Sequence, residues 1–138
     1  MMKNIKKIVS VIVLLCSIVA VSSGLPQDNK LPNDIVVGLN TGNAKVLSSY
    51  FNQNVELVVL DNDNVYSKAQ AQQIVSNFFN KFPPVVENAF SVIHNSGKAD
   101  AKSVIGKLKT EKGDFRVYFL LKKSSGKEYI HQLRIEQQ

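Results

Sequence analysis

Two periods of apolar residues divide this chain: steps of three and four dominate before Pro83-Pro84, and alternation dominates after it. In the stretch Val65–Phe82, VYSKAQAQQIVSNFFNKF, Ala71, Ile74, Val75, Phe78 and Phe82 form one helical face, while Lys68, Gln72, Gln73, Asn77 and Lys81 fall largely elsewhere. Ser67 and Gln70 have the spacing of a capping box, which predicts the helix start, and Pro83-Pro84 predicts its end. This helix carries the densest aromatic cluster of the chain, and its apolar face requires a sheet to bury it.

Upstream, Ile35, Val36 and Leu39, then Val46, Leu47, Tyr50 and Phe51, also recur at helical spacing on either side of Thr41-Gly42-Asn43. Two short helical pieces, or one helix broken at Gly42, both satisfy that pattern. Asn52–Asn54 marks the exit. Val55–Leu60 is short and rich in β-branched residues, so it predicts a strand, with Asp61–Asn64 as a turn returning into Val65-Tyr66. Downstream, Asn88–Asn95, Ser103–Thr110, Asp114–Lys123 and Glu128–Glu136 alternate as strands. They are separated by the hairpin signals Ser96-Gly97-Lys98, Glu111-Lys112-Gly113 and Ser124-Ser125-Gly126. The order predicts an α+β fold, with N-terminal helices packed on one face of a curved antiparallel sheet.

Residues 1–23 have the build of a secretory signal peptide. Lys3, Lys6 and Lys7 precede the apolar run Ile8 to Val21, and Ala20, Ser22, Ser23 and Gly24 are small. An uncleaved membrane anchor is the weaker reading, because the run is shorter than the ~20 residues of a span. A lipoprotein reading of Cys16 fails because Leu15, the residue before it, is not small. Residues 24–32 read as a flexible lead-in, and residues 33–138 as a single domain. The expected location is outside the cytoplasm, periplasmic or secreted, with no transmembrane anchor after cleavage.

Cys16 is the only cysteine and leaves with the leader, which excludes disulfides, cysteine nucleophiles and thiolate metal sites from the mature chain. Lys3, Lys6 and Lys7 account for three of the formal +6 charges, leaving +3 on the mature chain, too mild an excess to specify a partner. Asp61 and Asp63 occupy the first ligand positions of a calcium loop, but Tyr66 stands where glycine is needed and Gln72 where the closing glutamate is needed. Two histidines alone make no zinc site. No metal and no cofactor are expected, and without interleaved stacking aromatics no nucleic-acid partner.

Leu39–Ala44 reads L-N-T-G-N-A, Tyr66–Ala71 reads Y-S-K-A-Q-A, Ile105–Leu108 reads I-G-K-L and Leu133–Glu136 reads L-R-I-E. With the element order, these runs resemble a family of exported bacterial proteins of unknown function that share the cone-shaped fold of nuclear transport factor 2 and ketosteroid isomerase, a cystatin-like arrangement. The resemblance covers nearly the whole mature chain. It implies the fold rather than an activity, because that superfold carries enzymes, adaptors and binding modules. The acid and base carboxylates of the steroid isomerases are not recognisable here.

The resemblance implies a pocket between the long helix and the concave sheet face. The strand period predicts that Phe90, Val92 and His94, the row from Phe115 to Leu121, and Tyr129, His131, Leu133 and Ile135 face it. Candidate ligand-binding residues are therefore Tyr50, Tyr66, Phe78, Phe82, His94, Phe119, Tyr129 and His131. His94 and His131 are weak candidates for general bases, since no carboxylate in those rows orients either ring. On the opposite face, Ile93, Ile105, Tyr118, Leu120 and Ile130 alternate with Lys107, Lys109, Arg116, Lys122, Gln132 and Arg134. That mixture suggests a covered surface, with Ile105, Tyr118, Leu120, Ile130 and Arg134 at a homodimer interface.

The function expected is a non-enzymatic binding or scaffolding module for a small amphipathic ligand or a protein partner. The alternatives are an isomerase- or lyase-like acid–base enzyme with a His/Tyr pocket, and a purely self-associating protein.

Overall fold

A computed structural model describes residues 31–138 of the chain. The leader, residues 1–23, and residues 24–30 of the lead-in lie outside the described residues.

The described residues hold three helices. Helix α1 (Asn33–Thr41) stops at Gly42, whose φ of 66° is a left-handed conformation that a side chain resists. Asn43 then caps α2 (Ala44–Ser48), its side-chain oxygen accepting the Val46 amide at 3.1 Å. The break at Gly42 therefore separates two helices. Beyond the first two strands, the helix expected from Val65–Phe82 is α3 (Lys68–Lys81). The Gln70 amide donates to Ser67 Oγ at 3.2 Å and Ser67 N–H donates to Gln70 Oε1 at 3.1 Å, so each satisfies an amide the helix leaves open. Phe82 ends the helix before the two prolines.

The strands are β1 (Phe51–Val59), β2 (Asn62–Ser67), β3 (Phe90–Lys98), β4 (Ala101–Thr110), β5 (Gly113–Ser124) and β6 (Lys127–Gln137). They make one six-stranded sheet in the order β2-β1-β6-β5-β4-β3. The expected all-antiparallel sheet is corrected at one seam, where β1 runs parallel to β6. Chain-distant strands meet there, so no turn signal marks the pairing. It also lengthens β1. Phe51, expected at a helix end, pairs with Ile130, and Asn52–Asn54 lies inside the strand. Two turns move as well: Ser96, Gly97 and Lys98 belong to β3, leaving Ala99-Asp100 as its turn, and Asn62–Asn64 begins β2.

The core lies between the helices and one face of the sheet. Val55, Leu57 and Val59 of β1, Phe115, Val117, Phe119 and Leu121 of β5, and Leu133 and Ile135 of β6 are all buried there against Ala71, Val75, Phe78 and Phe79 of α3. Phe115 meets Phe78 edge-on at 5.0 Å and Phe82 at 4.8 Å, while Phe78 and Phe82 stack at 5.4 Å. Such edge-to-face and offset contacts suit the ring quadrupoles. Gly106 makes room for a ring from the sheet edge: a Cβ there would stand 2.4 Å from the Phe90 ring.

Two bulges decide which side chains see this core. On β6, Leu121 pairs with Ile130 but Leu120 pairs with Gln132, leaving His131 as the extra residue. On β3, Val92 pairs with Gly106 but His94 pairs with Ile105, leaving Ile93 extra. One inserted residue reverses the alternation beyond it. The inward rows expected from strict alternation are corrected accordingly. Ile130 is fully buried in the core, whereas Tyr129 sits opposite Lys122 and His94 opposite Ile105, both on the outer face. Val92 keeps its inward parity but is 45% exposed beyond the helices.

Candidate binding face

The outer face of the sheet carries a continuous row of side chains across all of its strands. Cross-strand pairing sets Asp63 beside Val58, Val58 beside Arg134, Arg134 beside Tyr118, Tyr118 beside Ile105, and Ile105 beside His94. On one side of this row lie Val65, Glu56, Gln132 and Leu120; on the other lie Glu136, Arg116 and Lys107. Alternation turns Glu56 and Val58 to this face, because they are the positions of β1 between the buried Val55, Leu57 and Val59.

A groove of about 440 Å³ runs over this surface, lined by Glu56, Val58, Asp63, Ile105, Arg116, Tyr118, Gln132, Arg134 and Glu136. The Gln132 side-chain amide donates to Glu56 across the parallel seam. Arg134 Nη1 stands 3.8 Å from Glu136 Oε1, and both side chains are 56% exposed, so water screens the pair. Lys107 pairs with Asp114 at 3.2 Å. Among the described residues, Arg116 and Asp63 form no ion pair. The face thus offers an arginine, a carboxylate and a phenol to a partner, set around Val58, Ile105 and Leu120.

The residues expected to line a cone pocket separate into three places. Phe78, Phe82 and Phe119 pack with the core, so rings occupy the part of the cone beneath α3. Tyr50 and Tyr66 pack half-buried at the core margin. Tyr129 and Tyr50 flank Lys127, whose Nζ lies 5.5 Å and 6.0 Å from their ring centres. His94 is exposed, and His131 is half-buried in its bulge. Burial first, and the Lys122 ammonium second, hold the His131 pKa below its usual value. The β5 and β4 strands separate the two histidines, a gap of roughly 14 Å at ~4.8 Å per strand, so they cannot act on one reacting atom.

Of the expected interface residues, Ile105, Tyr118, Leu120 and Arg134 share the outer face, and Ile130 does not. Sequence reasoning missed Glu56, Val58, Asp63 and Glu136. The alternation of VELVVL would have oriented Glu56 and Val58; only the β1–β6 pairing brings them beside Arg134.

Helices packed on a curved six-stranded sheet in this order define the nuclear transport factor 2-like fold. A protein of that fold and of unknown function from Shewanella baltica superposes with a TM-score of 0.58 at 16% identity, over 77% of this chain and 86% of its own. The chain belongs to the DUF4783 family, a domain of unknown function, whose model matches residues 32–136. A DUF4783 protein of Bacteroides ovatus is 30% identical with a TM-score of 0.72, over 80% of this chain and 97% of its own. One from Bacteroides uniformis is 28% identical with the same TM-score, over 79% and 98%. No curated protein matches the sequence.

Proposed function

We propose that this DUF4783 chain is an exported, non-enzymatic binding or scaffolding module that works through the outer face of its sheet. The observation that carries this reading is the groove: it sets Arg116 and Asp63, neither in an ion pair among the described residues, around an apolar floor of Val58, Ile105 and Tyr118. A surface built only to be wet gains nothing from that arrangement. The ring cluster of Phe78, Phe82 and Phe115 turns the reading away from the cone interior, and the separation of the two histidines turns it away from acid–base chemistry. Export is supported by the lysines, apolar run and small residues of the leader.

The test is thermal protection by a panel of small amphipathic ligands and peptides, measured on wild type and on Tyr118→Lys. Protection that the substitution removes while the unliganded melting temperature holds supports the outer face. Protection that survives Tyr118→Lys and vanishes in Tyr66→Ala would move the site to the cone and refute this reading.

A further inference from the structure

We infer that the end of the sheet built from the β3–β4 and β5–β6 hairpins binds the acidic groups of an anionic polysaccharide through a line of lysines, Lys98, Lys122 and Lys127. The line lies on the outer face, one row beyond Leu120 and outside the groove. It shares with the groove reading only the export of the chain, on which binding in solution does not depend.

The register of the strands makes the line. Cross-strand pairing sets Lys98 beside Ala101, Ala101 beside Lys122, and Lys122 beside Tyr129. One pair further out, Ser124 faces Lys127. Lys98 and Lys122 therefore stand two strands apart, roughly 10 Å at ~4.8 Å per strand, with only the methyl group of Ala101 between them. Lys127 is diagonal to Lys122, at a separation of about 7–8 Å. All three lysines are exposed, and none is in an ion pair among the described residues. The carboxylates of this end lie off the line: Asp100 sits in the β3–β4 turn, and Glu128 pairs with Lys102 at 3.5 Å. Like charges this close repel, so the fold gains nothing from the grouping until an anion joins it.

Two neighbours hold the line ready. The bulge at His131 turns Tyr129 outward beside Lys122, where strict alternation would have placed it in the core. Lys127 Nζ then lies 5.5 Å from the Tyr129 ring centre and 6.0 Å from that of Tyr50, so two rings fix the ammonium without neutralising it. Burial first, and the Lys122 ammonium second, lower the His131 pKa, as expected of a charge that no carboxylate offsets.

Ammonium groups set in a line across strands suit a chain of anions, whereas a single phosphate is held by donors that converge on one point. The surroundings select the polymer. Tyr129 and Ser124 offer hydroxyl groups and a ring to a sugar chain laid along the lysines. The hairpin tips, with Ala99 at one and Ser124, Ser125 and Gly126 at the other, bring no large apolar side chain to enter a bilayer. For an exported chain, the acidic polymers within reach are polysaccharides more than nucleic acids.

The experiment is calorimetric titration of the protein recovered from cells with polygalacturonate, a carboxylated sugar polymer, and with neutral dextran. Wild type is expected to bind the first and not the second, and to bind more weakly as salt rises. The triple variant Lys98→Gln, Lys122→Gln, Lys127→Gln should bind ~10-fold or more weakly, because hydrogen bonds to charged groups are lost. The control triple Lys81→Gln, Lys109→Gln, Lys112→Gln removes the same charge at the opposite ends of α3 and β4 and should bind like wild type. All six lysines are exposed, so both triples should fold. A wild type that ignores polygalacturonate overturns the inference, as does equal weakening in the two triples, which would assign binding to net charge. Binding to phosphatidylglycerol vesicles without binding to the polymer also overturns it, in favour of a membrane. If Tyr118→Lys leaves protection by every panel compound intact while the polymer result holds, the groove reading falls and the lysine line stands; the opposite pair of results keeps the groove and removes the line.

Discussion

Most of the short runs that stand out in this chain act on the backbone. In the L-N-T-G-N-A run, Gly42 closes α1 and Asn43 opens α2; a Cβ at Gly42 would also stand 2.9 Å from Pro84 Cδ. In the Y-S-K-A-Q-A run, Ser67 and Gln70 cap α3 and Ala71 is fully buried. Ser67→Ala removes an acceptor for an amide that has no helical partner, and should cost about 1 kcal/mol in denaturant unfolding. An unchanged midpoint would mean that water replaces the hydroxyl without loss. Gly106 of the I-G-K-L run lies under the Phe90 ring, so Gly106→Ala forces that ring off the strand and should destabilise by roughly 1–3 kcal/mol. The companion change Phe90→Leu should recover part of that loss.

His131 gives a residue-level pH dependence. Its folded pKa lies below the 6.5 of a free imidazole, so between the two values the unfolded chain binds more protons than the folded one. Stability therefore rises with pH through that window, and the penalty is complete below the folded value. His131→Gln should flatten the slope of unfolding free energy against pH below 6.5; an unaltered slope would show that other groups set it.

At the scale of elements, the helix that organises the fold is legible in the sequence because everything that defines it is local. Cap, apolar spacing and terminating prolines all fall within the stretch from Ser67 to Pro84. The strands after it are also legible, since β4 and β5 alternate without interruption. What alternation cannot reveal is an extra residue. The bulges at His131 and Ile93 leave the local pattern of hydrophobicity almost unchanged yet reverse the side chains beyond them, and so exchange Ile130 for Tyr129 in the core. The β1–β6 seam is equally invisible, because it joins segments from the two ends of the domain. The outer groove was therefore half legible. Tyr118, Ile105, Leu120 and Arg134 follow from strand period alone, while Glu56, Val58 and Asp63 join them only through that seam.

The same scale fixes the role of the aromatic cluster. Phe115 is fully buried and touches the rings of both Phe78 and Phe82, which ties α3 to β5. Phe115→Ala should cost about 3–5 kcal/mol by removing the ring and leaving a cavity, and the truncated protein should bind small aromatics there. A cost below ~1 kcal/mol would mean that α3 collapses onto the gap, and that the cone is less rigidly filled than its ring contacts imply.

At the scale of the whole molecule, the two faces of the sheet differ in what they ask of a partner. The inner face is satisfied by the chain's own helices. The outer face has no element of the described chain over it and carries both signs of charge around the apolar part of its groove. Any occupant of that face enters folding as mass action, because it binds the folded state and not the unfolded one. A panel compound held free at a hundredfold excess over its dissociation constant should add about 2.7 kcal/mol. For a domain of this length that raises the melting temperature by roughly 10 °C or more. Tyr118→Lys should lose most of that rise while melting near the wild-type value without the compound, since Tyr118 lies on the outer face and not in the core. A rise that Tyr118→Lys leaves intact would mean that the compound binds away from the outer face.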